Sequence, residues 1–168
     1  NISFNVKKGE ILGFAGLAGA GRTELMESIC GFTGRAAGTV WLEGKRLHIK
    51  NYKDAMANGI VYVSEDRGKY GLIVDMSIQQ NISLPQLENF KKGPGFLDVK
   101  KESDKGAEYI KEVGIKAPAP DFLVANLSGG NQQKVSVSKA LAMNPKLLIL
   151  DEPTRGVDVN AKAEIHKI

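Results

Sequence analysis

Residues 16–23 read GLAGAGRT, and what flanks them restricts the fold more than any other stretch of the chain. Upstream, residues 10–15 (EILGFA) have the apolar character of a strand. Downstream, Leu25, Met26 and Ile29 recur at helical spacing until Gly31 ends the pattern. A strand that runs into a glycine loop and out into a helix is a unit of α/β folds with a parallel sheet. The loop itself nearly matches G-x-x-x-x-G-K-[ST], the phosphate-cradling pattern, but Arg22 stands where lysine is expected.

The rest of the chain extends this reading. Two strands are predicted at residues 2–6 and 10–15, joined by a Lys-Lys-Gly turn, with another strand in GTVWLEG that ends in a turn. YKDAMANG predicts a short helix ending on Gly59, and IVYVSED a buried strand. From about residue 70 the chain becomes helical, over 77–90 and Val99–Val113, between loops KKGPG and KAPAP. SGGNQQKVSVSKALAMNP predicts a helix from Ser128 stopped by Pro145, and KLLILDEP a fully buried strand of the parallel kind. NAKAEIHKI predicts a helix from Ala161 with no stop signal, as in a piece of a longer protein. The sum is an α/β core of residues 1–69 and 145–168, interrupted by a helical block over 70–144 that includes the Ser128 helix.

Composition narrows the function classes. The 168 residues are 42% hydrophobic and 25% charged, an ordinary globular balance, and they suffice for one domain with a real core. The net charge of +4 comes from scattered lysines with no aromatic-interleaved basic stripe, so no nucleic-acid partner is expected. The single cysteine, Cys30, excludes an internal disulfide and is expected to pack in a helix. His48 and His166 lack metal-site spacing and read as surface or satisfied histidines. The longest strongly apolar run, LLIL, falls far short of the roughly 20 residues that span a bilayer.

Three stretches carry chemistry. In the first, Gly16, Gly19 and Gly21 let the backbone wrap an anion together with Leu17, Ala18 and Ala20. The helix that begins at Arg22, Thr23 and Glu24 adds its positive N-terminal end. Thr23 offers a hydroxyl to a magnesium ion, and Arg22 keeps the charge of the expected lysine in a planar, forked form. In the second, Asp151 and Glu152 end an apolar strand. Asp151 suits magnesium, and Glu152 suits the water that attacks a γ-phosphate. In the third, Ser128 caps a helix that opens with Gly129 and Gly130, a second anion-binding nest. Taken singly, each has a plain structural alternative: a glycine turn, a strand turning polar at the surface, a capped helix. Two glycines in a first turn are nonetheless a costly choice if only helix formation mattered.

In this order the three stretches resemble the nucleotide-binding domain of ABC transporters, across essentially the whole chain. LSGGNQQK looks like the ABC signature, LLILDEP like its Walker B strand and GVDVNAK like its D-loop. The resemblance implies a P-loop NTPase core of the RecA-like kind with an antiparallel β edge and a helical subdomain insert, residues 1–168 forming one such domain. More narrowly, GFAGLAGAGRTEL, VYVSEDRGKYGL and LSGGNQQKV…LDEPTRGVDV look like the C-terminal ATPase half of tandem subunits that energise ribose, galactose and xylose import. That half carries arginine in the loop and SEDR where other ABC domains have glutamine, so Arg22 is part of the resemblance.

Carried over by position, the resemblance implies ATP and Mg2+ as ligands. Residues 16–24 would hold the phosphates, Thr23, Asp151 and Glu65 the metal, and Glu152 would be catalytic. Glu65 occupies the Q-loop position and Asp158 that of the D-loop aspartate. Ser128, Gly129, Gly130, Asn131 and Gln132 would reach a nucleotide held by a second such domain, the N-terminal half of the same polypeptide. Transmembrane permease subunits and, indirectly, a sugar-binding protein complete the implied partners, with this chain peripheral on the inner face of the cell membrane. The adenine-stacking aromatic and the switch histidine of the family would lie before Asn1 and after Ile168. Two rivals stay open: a nucleotide-binding but hydrolysis-deficient regulatory half, favoured by Arg22 and Glu65, and an ABC ATPase acting on DNA or ribosomes.

Overall fold

The computed structural model describes residues 2–34 and 37–168. Its elements run in order α1 (Arg22–Cys30), β1 (Val40–Leu42), β2 (Lys45–Leu47), α2 (Tyr52–Ala57), β3 (Ile60–Val63), α3 (Ile78–Ser83), α4 (Val99–Val113), α5 (Gly129–Ala142), β4 (Leu147–Leu150) and α6 (Val159–Ile165). A π-helical turn at Arg67–Gly71 and 3-10 turns at Leu84–Phe90 and Val124–Asn126 join them.

β3 and β4 pair in parallel, with Ile60 opposite Leu147 and Val63 opposite Leu150. The two-residue period of a strand then divides the apolar side chains between two faces. Ile60, Tyr62, Leu147 and Ile149 pack with Cys30 and Met26 of α1, Ala55 of α2 and the antiparallel hairpin β1–β2. Val61, Val63 and Leu148 pack against Ala140 on α5. A third core lies in the helical block, where Ile78, Ile82, Tyr109, Val113, Val124 and Val135 interlock. α3 begins with a reciprocal capping box, Ser77 accepting from Gln80 N while Gln80 Oε1 accepts from Ser77 N, which explains its sharp start.

Three expectations are corrected. Neither residues 2–6 nor 10–15 form a strand: the Lys7–Glu10 turn closes, Glu10 N donating to Lys7 O at 3.0 Å, but no ladder follows and Ile11 is 99% exposed. A strand is stabilised by its partner edge more than by its own propensity, and these runs meet none. For the same reason β4 is not fully buried. It pairs on one side only, Ile149 is covered and Leu150 is 45% exposed. The last helix starts at Val159 rather than Ala161, because Asp158 caps it by accepting from Ala161 N at 2.9 Å, and it ends at Ile165. Cys30 is buried as the last residue of α1, and burial, then the nearby Glu27 charge, pushes its thiol up to about 12. Both histidines are exposed.

Candidate functional site

The glycine loop turns where Gly19 (φ 77°) and Gly21 (φ 81°) take left-handed backbone, which a side chain would strain. A Cβ on Gly16 would sit 3.2 Å from that of Ala20, and Ala20 N donates to Leu17 O at 3.1 Å, so the loop is tightly wound over 16–20. Gly21 is the N-cap of α1 and supplies no side-chain acceptor. The first amides of that helix are therefore left to an outside acceptor, and its dipole favours an anion there. Gly16, Leu17, Ala18, Gly19, Ala20 and Glu24 are exposed, and Gly21, Arg22 and Thr23 half-buried.

The end of β4 meets this loop. Thr23 Oγ1 donates to Asp151 Oδ2 at 2.7 Å, and the Tyr62 hydroxyl donates to the same oxygen at 2.8 Å. Arg22 Nη2 lies 3.1 Å from Glu152 Oε1. Glu152 holds left-handed backbone (φ 43°), which costs a non-glycine residue about 1–2 kcal/mol. Glu43 (φ 51°), paired with Lys146, combines the same backbone and an ion pair, so at Glu152 it is the position against the glycine loop that sets the carboxylate apart. Burial, and next the hydrogen bond to Asp151, raise the Tyr62 pKa far above the tyrosine range, so its hydroxyl remains a donor.

Glu65, expected beside the metal, pairs instead with Arg155 in the loop after β4. Arg67, two positions on, sends Nη1 to Arg155 O at 3.3 Å, and its Nη2 would be 2.9 Å from a Cβ on Gly129. Arg67 and Arg155 thus tie the loops after β3 and β4 together, and Arg67 packs closely against Gly129 at the start of α5. Ser128 caps α5. Gly130 is required by contact: a Cβ there would come within 2.4 Å of the Ala161 Cβ, so α6 rests directly on the first turn of α5. Asp158, capping α6, has its carboxyl held below the usual range, chiefly by the Ala161 N–H. Two signature side chains are engaged within the chain: Asn131 Oδ1 accepts from Lys116 N at 2.9 Å, and Gln132 Nε2 donates to Val124 O and Leu127 O.

The family described as ABC transporter matches residues 1–155. The chain belongs to the ABC transporter family. Among curated relatives it is 49% identical over 168 residues to the ribose import ATP-binding protein RbsA of Geobacillus kaustophilus, covering 100% of this chain and 34% of that protein. It is 50% identical over 169 residues to the xylose import ATP-binding protein XylG of Thermoanaerobacter pseudethanolicus, covering 100% and 33%. The chain therefore spans about one third of the length of these relatives. Among solved structures, the dimeric bacterial ABC transporter cassette MJ0796 shares its fold with TM-score 0.79 and 23% identity, over 98% of this chain and 69% of that one. A component of the cbiONQ transporter complex, cbiO1 of Clostridium perfringens, does so with TM-score 0.75 and 27% identity, over 99% and 63%.

The structure of this ABC transporter family member brings Arg22 and Thr23 to Asp151 and Glu152, and sets Asp158 beside Gly130. It keeps Glu65 on Arg155. Three residues that contact the candidate site carry no assignment from the sequence. Tyr62 lay inside an apolar strand, where its hydroxyl gave no sign of direction. Arg67 and Arg155 lie within SEDR and DEPTRG, and the carboxylates beside them drew the functional reading; a cation next to each acidic run was the available signal.

Proposed function

We propose that this chain, residues 1–168, is one nucleotide-binding domain of a sugar importer, coupling ATP binding and hydrolysis to transport. The observation that carries the reading is the junction of Thr23 with Asp151 and of Arg22 with Glu152, at the open N-terminus of α1. The identity of about half to ribose and xylose import ATP-binding proteins supports a monosaccharide as cargo.

In this reading the loop amides of 16–24 and Arg22 hold the β- and γ-phosphates of ATP. Magnesium fits the donors: a hydroxyl and a carboxylate oxygen 2.7 Å apart are hard ligands of the kind it takes. Bound there, it would neutralise charge on the phosphate oxygens. Among the described residues no group of three carboxylate, imidazole or thiolate side chains gathers, so Glu65 would join the metal only by leaving Arg155. Glu152 accepts the proton of the attacking water as the water oxygen bonds to the γ-phosphorus and the bond to the β-phosphate oxygen breaks.

Ser128, Gly129, Gly130, Asn131 and Gln132 belong, in this reading, to the site of a second nucleotide-binding domain in the same polypeptide. Closure of the pair would drive permease subunits fed by a sugar-binding protein. No helix among the described residues is long and apolar enough to cross a membrane, which suits a peripheral position on the inner face of the cell membrane.

The test is import of labelled ribose and xylose into vesicles by the full-length subunit with its permease. Thr23→Ala and Asp151→Asn are expected to weaken ATP binding, Glu152→Gln to abolish hydrolysis at this site, and Ser128→Arg to stop transport. Transport untouched by all four overturns the reading. One observation favours a second reading, a half that binds nucleotide without hydrolysing it: Glu152 is already engaged by Arg22. Hydrolysis unchanged in Glu152→Gln with ATP binding intact would select it.

A further inference from the structure

Ser128 has a hydroxyl whose hydrogen bonds are fixed by a neighbour. Its Oγ accepts from Asn131 N at 3.5 Å and from Asn131 Nδ2 at 3.0 Å. A serine oxygen has two acceptor positions and one proton, so both acceptor positions are taken and only the proton is left to give. The orientation of the Asn131 amide is settled by a third group. Lys116 N, which can only donate, points at Asn131 Oδ1 at 2.9 Å, so the NH2 end must face Ser128. Among the described residues the Ser128 hydroxyl donates to nothing, and Ser128 is exposed at the start of a 14-residue helix.

We infer that Asn131 is a positioning residue: anchored by the Lys116 amide, it makes Ser128 an obligate hydrogen-bond donor aimed out of the chain, fit for an anionic phosphate oxygen and unfit for a donor group. The loop carrying Lys116 thereby sets the polarity of a hydroxyl twelve positions away in sequence. Asn131 itself touches no ligand in this account. Its side chain is spent on Lys116 and Ser128, both within the chain.

The inference rests on the reading of Ser128 as a contact to a nucleotide held by a second domain, and the experiment separates the two. ATP hydrolysis is measured with the full-length subunit and its permease for Ser128→Ala, Asn131→Asp and the double variant, with urea midpoints alongside. Aspartate at 131 still accepts from Lys116 N but also accepts the Ser128 proton, reversing the hydroxyl. Asn131→Asp is expected to lower kcat/KM on the order of tenfold, the worth of one hydrogen bond to a charged group. In the Ser128→Ala background the part that acts through the hydroxyl should vanish, leaving only the repulsion from the added carboxylate. Asn131→Ala, which frees the hydroxyl without adding charge, should cost less and also lose its effect in that background. A full additional loss in the Ser128→Ala background overturns the inference, because the effect would then bypass the hydroxyl. Ser128→Ala without effect overturns the shared-site reading beneath it.

Discussion

Arg22 of the glycine loop reaches Glu152 at the end of β4, Nη2 to Oε1 at 3.1 Å, across 130 positions of sequence. The loop cation and the candidate catalytic carboxylate therefore neutralise each other. Phosphate oxygens, carrying more charge and several acceptors, compete for the same guanidinium, so filling the loop releases Glu152. With side chains 34% and 42% exposed, the pair is well screened and contributes at most about 1 kcal/mol to folding. Arg22→Ala should leave the urea midpoint nearly unchanged while weakening ATP binding about tenfold. Arg22→Lys, whose shorter-headed ammonium lacks the guanidinium nitrogen that reaches Glu152, should raise turnover in the full-length subunit. A large loss of stability in Arg22→Ala would show the pair to be structural.

Gly130 is fixed by contact between helices. A Cβ there would meet the Ala161 Cβ at 2.4 Å, with no flexible tip to give way. Gly130→Ala should destabilise by about 1–3 kcal/mol in urea unfolding. Combining it with Ala161→Gly, which removes the opposing methyl, should recover most of the loss. Gly129→Ala meets the guanidinium at the end of the long Arg67 side chain instead and should cost less.

How much of this was legible in sequence depends on range. α1 with its Gly31 stop, Tyr52–Ala57, Ile60–Val63, Val99–Val113 and the Ser128-capped helix follow from local periodicity and caps, and all formed close to where the pattern placed them. Residues 2–15 did not become strands and Leu150 was left half open, because strand state depends on a partner edge that no local pattern encodes. In the site, GLAGAGRT and LLILDEP pointed to Arg22, Thr23, Asp151 and Glu152, and the structure places these four side chains next to one another. Their pairing, Arg22 with Glu152 and Thr23 with Asp151, needed coordinates. Glu65 on Arg155 was not foreseeable, since both cations and carboxylates crowd those two loops and sequence does not say which neighbours which.

Lys134 is buried in α5, 3% exposed, and its ammonium donates to Gly114 O and Glu164 Oε2, both at 2.6 Å. The hydrogen bond from Lys134, and then its charge, hold the Glu164 carboxyl below the ordinary glutamate value of 4.5. A carboxyl whose folded pKa is depressed stabilises the fold above its unfolded pKa, and that contribution is lost as pH falls through the folded value. The urea midpoint of the wild type should therefore exceed that of Glu164→Gln at pH 7. The gap should close on acidification below about pH 4.5. A gap that is constant from neutral to acid pH would mean that the ion pair contributes nothing.

Tyr62 of β3 and Thr23 of α1 donate to one oxygen, Asp151 Oδ2. That oxygen is the carboxylate donor assigned to magnesium in the proposed function, so the tyrosine hydroxyl both positions it and competes for it. Tyr62→Phe removes the hydroxyl while keeping the ring that packs in the core beside Ile60 and Ile149. Losing one hydrogen bond to a charged group should cost about 1.5–3 kcal/mol of stability, toward the low end because Asp151 is half-buried. At the same time Oδ2 gains basicity and a free lone pair, so less magnesium should half-saturate ATP binding. The two effects have opposite signs, which isolates the competition from general damage: a destabilised site that merely loosens would need more magnesium. Because the Tyr62 pKa lies well above the usual range, the difference between variant and wild type should hold steady from about pH 6 to 9.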